Sequence, residues 1–197
     1  METVLTVSSI FLWLVVLLNL VLTLALVRRI NATSGSTRTL PDSLQAGEEA
    51  PFFTARTLND EARTLADYAG RPLVLLFIAP GCKSCHELLP SFHELQEPAG
   101  LAGVELVLVS EGEMEQTRTM VQTLDIRLPL LVAPRKTNAF FHEYKIHGTP
   151  SYCSIDEQSK VQSSGHPHPN YGKWKALTNS WTGQKGSSGR EVIQPRS

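Results

Sequence analysis

Residues 72–95 read PLVLLFIAPGCKSCHELLPSFHEL, and this stretch decides the fold. Its first part, from Leu73 to Ile78, is a continuous apolar run, which is typical of a strand buried on both faces of a parallel sheet. Residues 79–81 (APG) end the strand, and Cys82 opens a pattern with helical spacing of apolar residues. The apolar positions of that pattern are Leu88, Leu89, Phe92 and Leu95. The stretch therefore predicts a central strand followed by a helix, with a Cys-x-x-Cys motif at the junction.

Further apolar patterns along the chain predict alternating strands and helices. Strands are predicted over residues 104–109, 128–132, 151–155 and 161–164, and helices over residues 113–124, 136–144 and 171–181. Strand and helix alternate twice before a hairpin and a last helix close the domain. This order predicts an α/β sandwich around a mixed sheet.

The N-terminal stretch over residues 4–27 is apolar and carries no charge. A helix of this length spans roughly 36 Å, which is enough to cross a hydrocarbon core of ~30 Å with some tilt. A cleaved signal peptide would have a basic start and a small-residue cleavage site, and residues 1–3 and Arg28-Arg29 provide neither. We therefore predict a retained transmembrane anchor over residues 1–30.

The rest of the chain divides by composition into three parts. Residues 31–46 are polar, with Ser, Thr, Gly and Pro scattered through them, which is the composition of a linker. Residues 47–181 have the size of one ordinary domain and can bury a core, whereas residues 182–197 have little to bury and are predicted to be disordered. The formal net charge of −1, with no basic stripe, argues against binding to nucleic acid.

The spacing of Cys82 and Cys85 points to redox or metal chemistry. Cys82 is placed at a helix N-terminus, where unpaired N–H groups and the helix dipole favour the thiolate, which is the attacking species. Cys85 lies one turn further along, close enough to resolve a mixed disulfide. We therefore predict Cys82 as the nucleophile and Cys85 as the resolving thiol. Cys153 is expected to be a buried core thiol, with a part in substrate exchange as the alternative.

Four motifs resemble the membrane-anchored branch of the thioredoxin superfamily that contains the TlpA, ResA and MauD types. Residues 47–53 (GEEAPFF) are similar to the start of the domain in that branch, and residues 64–72 (TLADYAGRP) to its entry into the central strand. Residues 79–85 (APGCKSC) resemble the active-site loop, and residues 148–150 (GTP) resemble the cis-proline loop. The resemblance covers residues 47–181, and the whole layout is most similar to MauD-type methylamine-utilisation proteins.

The resemblance implies a thioredoxin-like α/β sandwich with a central mixed sheet and a thiol–disulfide oxidoreductase activity that needs no cofactor or metal. Cys82 and Cys85 would form the redox disulfide. Pro150 would be cis, and Thr149 would offer its backbone to an extended substrate segment. These two residues are the expected substrate-binding site.

The implied partners are client protein thiols or disulfides, a membrane electron donor or acceptor, and the lipid bilayer around the N-terminal helix. Clients would include methylamine dehydrogenase-like or cytochrome proteins undergoing maturation. The redox domain would lie on the outer face of a bacterial cytoplasmic membrane. Arg28-Arg29 taken alone would favour the cytoplasm under the positive-inside rule, so the resemblance carries this expectation.

Three positions depart from the pattern of these relatives. Gly81 stands where thioredoxin has Trp, Leu76 where thioredoxin has a buried Asp, and Leu88 where ResA-like proteins have Glu. The usual buried base is therefore missing. His86 and Glu87 are the candidates for taking the proton of Cys85, although solvated helix positions are the favoured interpretation of both.

Zinc binding, copper delivery and peroxidase activity are the other functions open to the cysteine pair. A structural zinc needs two more ligands at a recognised spacing, and only His166 and His168 suggest any. Copper delivery is the alternative function, because two thiolates with a histidine suit Cu(I). Ala79 stands where a peroxiredoxin needs Thr, which disfavours peroxidase activity.

Overall fold

The computed structural model describes residues 12–23 and 43–183, which belong to two compact units divided between Asp42 and Ser43. In the first unit, residues 12–23 form helix α1. No helix within residues 12–23 and 43–183 is both long enough and apolar enough to cross a membrane. The predicted anchor over residues 1–30 and linker over residues 31–46 lie largely outside the described residues, as does most of the tail over residues 182–197.

The second unit is built on a mixed sheet of seven strands in the order β2-β1-β5-β4-β3-β6-β7. The strands are β1 (Thr54–Thr57), β2 (Ala62–Thr64), β3 (Leu73–Ile78), β4 (Glu105–Ser110), β5 (Leu130–Val132), β6 (Ser151–Ile155) and β7 (Val161–Gly165). The helices are α2 (Lys83–Leu101), α3 (Met114–Thr123), α4 (Phe140–Glu143) and α5 (Gly172–Gly183), and Leu65–Tyr68 forms a 3₁₀ helix. Strand β3 pairs in parallel with β4 and antiparallel with β6. The predicted α/β architecture around a mixed sheet is confirmed.

Strand β3 is the centre of the fold because both of its faces are covered. Alternate residues point to opposite faces of a strand, and the six residues from Leu73 to Ile78 are each no more than 1% exposed. Leu75 and Phe77 belong to a core cluster that includes the aromatic side chains of α4. Leu76 and Ile78 belong to a second cluster, formed with α2 and α5. The unbroken apolar run is therefore a consequence of two-sided burial.

The β1–β2 hairpin is absent from the predicted elements because its sequence lacks a strand pattern. Its strands read TART and ART, and Ala55 is the residue of the hairpin strands that is fully buried. The hairpin is held instead by pairing, since β1 lies antiparallel to both β2 and β5. Asp60, with a φ of 66°, makes the tight turn between the two strands.

The helix predicted over residues 136–144 is wrong in its first half, because helical structure is confined to α4, which begins at Phe140. The amide of Asn138 donates to the Pro134 carbonyl in a turn, and its side-chain oxygen accepts from the Phe140 amide. The turn made by Asn138 therefore moves the start of α4 from the predicted residue 136 to Phe140. At the other end of the unit, Leu44 packs into the core at 7% exposure, and Ser164 donates to its carbonyl.

Candidate functional site

One edge of the sheet brings the predicted site residues together. The carboxyl ends of the parallel strands β3 and β4 meet there, with Ile78 opposite Ser110. The first residue of the antiparallel strand β6, Ser151, lies opposite Phe77 at the same edge. The loops that follow β3 and precede β6 carry the cysteine pair and Thr149-Pro150. Ligands of open α/β sheets bind at this kind of edge.

Cys82 and Cys85 are joined by a disulfide, and their Cα atoms are 5.2 Å apart. Cys82 is the N-cap residue of α2, and its sulfur accepts a hydrogen bond from the Cys85 amide at 3.2 Å. The side chain of Cys85 is fully buried, whereas Cys82 is partly exposed. An incoming thiolate therefore reaches the sulfur of Cys82 and not that of Cys85.

The loop before β6 lies against the sulfur of Cys82. The Thr149–Pro150 peptide is cis, as the resemblance implies. The Thr149 carbonyl oxygen is 3.4 Å from Cys82 Sγ. Pro150 is buried and Thr149 is partly exposed, so the loop presents Thr149 beside the disulfide.

An open groove of about 680 Å³ runs past the disulfide. Its lining residues come from the loop after β3, the turn after β4 and the loop before β6, and they are Ala79, Pro80, Gly81, Cys82, Glu111, Gly112, Gln116 and Thr149. Cys82 lines this groove and Cys85 does not. The groove therefore gives a substrate access to one sulfur of the pair.

The turn after β4 packs against the cysteine loop, where Gly112 lies close to Pro80. This contact was not predicted from the sequence. A Cβ atom on Gly112 would lie 2.4 Å from Pro80 Cγ, so only glycine lets Pro80 pack here. Beneath it, the fully buried hydroxyls of Ser110 and Thr117 are hydrogen-bonded at 2.8 Å. The Gly112 amide donates to Ser110 Oγ. In the sequence, residues 110–113 (SEGE) indicate a turn between β4 and α3. They do not indicate that Gly112 contacts Pro80.

His86 is held by the cysteine loop, with its Nε2 atom 2.8 Å from the Pro80 carbonyl. Because the carbonyl can only accept, Nε2 carries the hydrogen of this bond, and Nδ1 is the ring nitrogen left to accept a proton. Glu87 is exposed and faces Lys83 at 3.9 Å. Leu76 and Leu88 pack in the same apolar cluster as Cys85. Thioredoxin and ResA-like proteins carry a buried acid at these two positions. In this chain the two leucines place apolar side chains near Cys85 instead.

Comparison with known proteins assigns the family, since the AhpC/TSA family profile matches residues 46–164. The chain belongs to the AhpC/TSA family. Within it, the thioredoxin-like protein YneN of Bacillus subtilis is 31% identical over 122 residues, covering 60% of this chain and 70% of YneN. The thiol-disulfide oxidoreductase ResA of Geobacillus kaustophilus is 24% identical over 121 residues, covering 61% of this chain and 68% of ResA.

The methylamine utilization protein MauD of Methylophilus methylotrophus is 24% identical to this AhpC/TSA chain over 123 residues. That match covers 60% of this chain and 54% of MauD. Together with YneN and ResA, it confirms the predicted branch. The predicted enzyme class, a thioredoxin-like thiol–disulfide oxidoreductase, is confirmed with it.

Solved structures agree on the fold of this AhpC/TSA domain. The thioredoxin domain of a thiol-disulfide oxidoreductase from Bacteroides vulgatus superposes with a TM-score of 0.60 at 18% identity, covering 70% of this chain and 99% of that chain. A thiol:disulfide interchange protein from a Bacteroides species has a TM-score of 0.60 at 20% identity, covering 76% and 94%. The predicted thioredoxin-like fold is confirmed.

Cys153 lies apart from the disulfide of this AhpC/TSA domain. Its side chain is fully buried in the cluster on the face of the sheet opposite Cys85. Burial raises the pKa of the Cys153 thiol to about 12. Cys153 is therefore a neutral core thiol, as predicted, and not a third exchange partner.

His166 and His168 form aromatic contacts with Tyr171. The rings of His166 and Tyr171 are stacked with centroids 5.9 Å apart, and His168 meets Tyr171 edge-on at 6.0 Å. In the part of the chain that the structure describes, no three side chains of His, Cys, Asp or Glu are close enough together to hold a metal ion. Among the described residues, a copper ion would therefore find the sulfurs of Cys82 and Cys85 and no third ligand of these types clustered with them.

Proposed function

We propose that this protein is a membrane-tethered thiol–disulfide oxidoreductase that exchanges disulfides with client proteins on the outer face of a bacterial cytoplasmic membrane. The observation that carries the proposal is the asymmetry of the pair. Cys82 lines an open groove and Cys85 is buried behind it. A pair arranged in this way can accept a client thiolate at one sulfur and keep the other as an internal leaving group.

In the exchange, a client thiolate attacks Cys82 Sγ and breaks the bond to Cys85, which leaves as a thiolate and takes a proton. A second client thiolate attacks the client sulfur of the mixed disulfide and displaces Cys82. The client has then lost two electrons to the cysteine pair, and the reverse sequence reduces a client disulfide. The N-terminus of α2 and the Cys85 amide stabilise the leaving Cys82 thiolate.

Thr149 and Pro150 are the proposed substrate-binding residues. Thr149 is partly exposed in the groove beside Cys82, and its carbonyl lies next to the reacting sulfur. Backbone groups of an extended client segment can form hydrogen bonds with the backbone of the Thr149–Pro150 loop. Such hydrogen bonds do not depend on the identity of most client side chains. This arrangement suits an enzyme that accepts more than one client.

The tether, the location and the partners rest on the sequence. The uncharged apolar stretch over residues 4–27 supports a single membrane-spanning helix. The similarity to ResA and MauD supports an extracytoplasmic domain and a membrane partner that supplies or removes electrons. A C-terminal reporter fusion tests this part: alkaline phosphatase active in a fusion indicates an outer location, and its inactivity would place the domain in the cytoplasm.

The exchange itself is tested by a trapping variant. In Cys85→Ser the resolving sulfur is missing, so a mixed disulfide between Cys82 and a client should accumulate and survive non-reducing electrophoresis. Cys153→Ser is the matched control, because it removes a buried cysteine on the opposite face and should trap nothing. Release of the trapped species by dithiothreitol supports the proposal, and its absence from Cys85→Ser cells opposes it.

A further inference from the structure

Arg135 connects three parts of the fold at the edge of the groove. Its Nε atom donates to Glu111 Oε2 at 2.6 Å, and its Nη1 atom donates to the Ile146 carbonyl at 3.0 Å. The Arg135 amide also donates to the Glu111 carbonyl. The guanidinium lies over the ring of Phe141, 4.9 Å from its centroid. One side chain thus makes two charge-assisted contacts and one cation–π contact.

These contacts link Glu111, which lines the groove, to the segment that leads to Thr149, another lining residue. Glu111 follows β4 and lines the groove together with Cys82. Ile146 lies three residues before Thr149, in the segment that leads to β6. Because the donors of a guanidinium are held in a rigid planar fork, the positions of Glu111 and Ile146 are fixed relative to each other.

The Glu111–Arg135 pair is also more enclosed than an ordinary surface ion pair. The Glu111 side chain is 27% exposed and that of Arg135 is 42% exposed. Glu111 is the charged residue among those that line the groove. A carboxylate that is partly withdrawn from water, held by a fixed partner and placed beside a reactive sulfur is suited to contact a bound polypeptide.

We propose that Arg135 and Glu111 are positioning residues for the client segment. They set the separation between the β4 turn and the Thr149 loop, and Glu111 forms a charged wall along which an extended polypeptide lies as its thiolate approaches Cys82. This inference rests on the proposed function. A small dithiol needs only the Cys82 sulfur, so the pair should govern exchange with polypeptides and not with small molecules.

The test compares two reductants of the oxidised full-length protein in detergent. One is an unstructured synthetic peptide of about ten residues with two cysteines, and the other is dithiothreitol. Both pass two electrons to the Cys82–Cys85 disulfide through a mixed disulfide at Cys82. Acid quenching, alkylation and mass spectrometry give the second-order rate constant for each reductant.

The variants are Arg135→Met, which keeps an apolar side chain over Phe141, and Glu111→Gln, which keeps the shape and removes the charge. Arg118→Met is the matched control. Arg118 also bridges a carboxylate, Glu115, and a backbone carbonyl, that of Leu58, and its side chain is 43% exposed, but it does not line the groove.

We expect the peptide rate constant to fall about tenfold in Arg135→Met and about threefold in Glu111→Gln, as loss of a charged hydrogen bond implies. The dithiothreitol rate constant should stay within about twofold of wild type in both, and Arg118→Met should change neither. Equal loss with both reductants, or no loss with the peptide, would overturn the positioning role. A wild-type protein that reacts with neither reductant would instead refute the proposed function itself.

Discussion

The sulfur of Cys82 lies 3.4 Å from the carbonyl oxygen of Thr149, although the two residues are 67 positions apart in the chain. The contact follows from the sheet, because Phe77 on β3 pairs with Ser151 on β6, and the two loops leave the sheet side by side. The Cys82 sulfur proposed to react with the client and the backbone groups proposed to bind it are therefore placed together by strand register.

Gly112→Ala should disturb the cysteine loop. The added methyl group would meet Pro80 Cγ at 2.4 Å, so the loop or the β4 turn must shift. Overpacking of this kind costs about 1–3 kcal/mol of unfolding free energy, and the displaced loop should also slow exchange at Cys82. Urea unfolding and the rate of dithiothreitol reduction measure the two effects.

The control for this substitution is Gly100→Ala in helix α2, where an added Cβ atom meets nothing within 4 Å. Alanine is the better helix former, so that variant should equal or exceed wild type in stability by up to about 1 kcal/mol. Equal stability of Gly112→Ala and wild type would show that Pro80 is not held against the turn.

Thr117→Val should destabilise the protein by about 1–2 kcal/mol, because the substitution leaves the buried Ser110 hydroxyl without its partner at 2.8 Å. Thr119→Val, at an exposed position of the same helix, should lie within about 0.5 kcal/mol of wild type. The double variant Ser110→Ala/Thr117→Val should cost less than the sum of its single variants. Strict additivity in urea unfolding would mean that the two hydroxyls do not interact.

Cys153 should make the oxidised protein less stable at alkaline pH. Burial raises the pKa of its thiol from 9.0 to about 12 in the folded state. Between these values the unfolded chain releases the proton and the folded chain retains it, so stability falls as the pH rises. The slope from this one group is up to about 1.4 kcal/mol per pH unit.

Cys153→Ala removes this contribution and leaves the other ionisable groups in place. Urea unfolding at neutral pH and near pH 10 should therefore show a smaller loss of stability for the variant than for wild type. The disulfide keeps Cys82 and Cys85 from titrating in this experiment. Identical pH dependence of the two proteins would contradict the assignment of Cys153 as a buried neutral thiol.

After reduction, the three cysteines should differ sharply in reactivity. Cys82 is partly exposed at the N-terminus of α2, whereas Cys85 and Cys153 are fully buried. A short pulse of iodoacetamide should therefore alkylate Cys82 first, since the thiolate fraction and access both favour it. Peptide mass spectrometry reads out the order, and alkylation of Cys85 ahead of Cys82 would reverse the assigned roles.

The sequence predicted those features that depend on a local pattern. The run from Leu73 to Ile78 indicated the central strand because burial on both faces leaves no polar position in it. The Cys-x-x-Cys motif after the apolar run indicated that Cys82 stands at the N-terminus of α2, which the structure confirms. The cis-proline loop followed from resemblance to a family, with Pro150 as the residue that carried it.

The features that the sequence did not reveal depend on contacts formed only after folding. The β1–β2 hairpin carries little apolar signal and is defined by its pairing with β5. Glu111 and Arg135 are 24 residues apart and meet because β4 and β5 end at the same edge. The need for glycine at position 112 arises from Pro80, on another loop.

In the proposed function, Cys82 and Cys85 interconvert between a disulfide and a dithiol. The most direct measurement equilibrates the full-length protein across a series of glutathione redox buffers, followed by acid quenching, alkylation and mass spectrometry. We expect a single two-electron transition between the Cys82–Cys85 disulfide and two alkylated thiols, with the Cys153 thiol unchanged throughout. Failure of an intramolecular disulfide to form at any ratio, with both thiols protected until a chelator is added, would contradict it and identify the pair as a metal site.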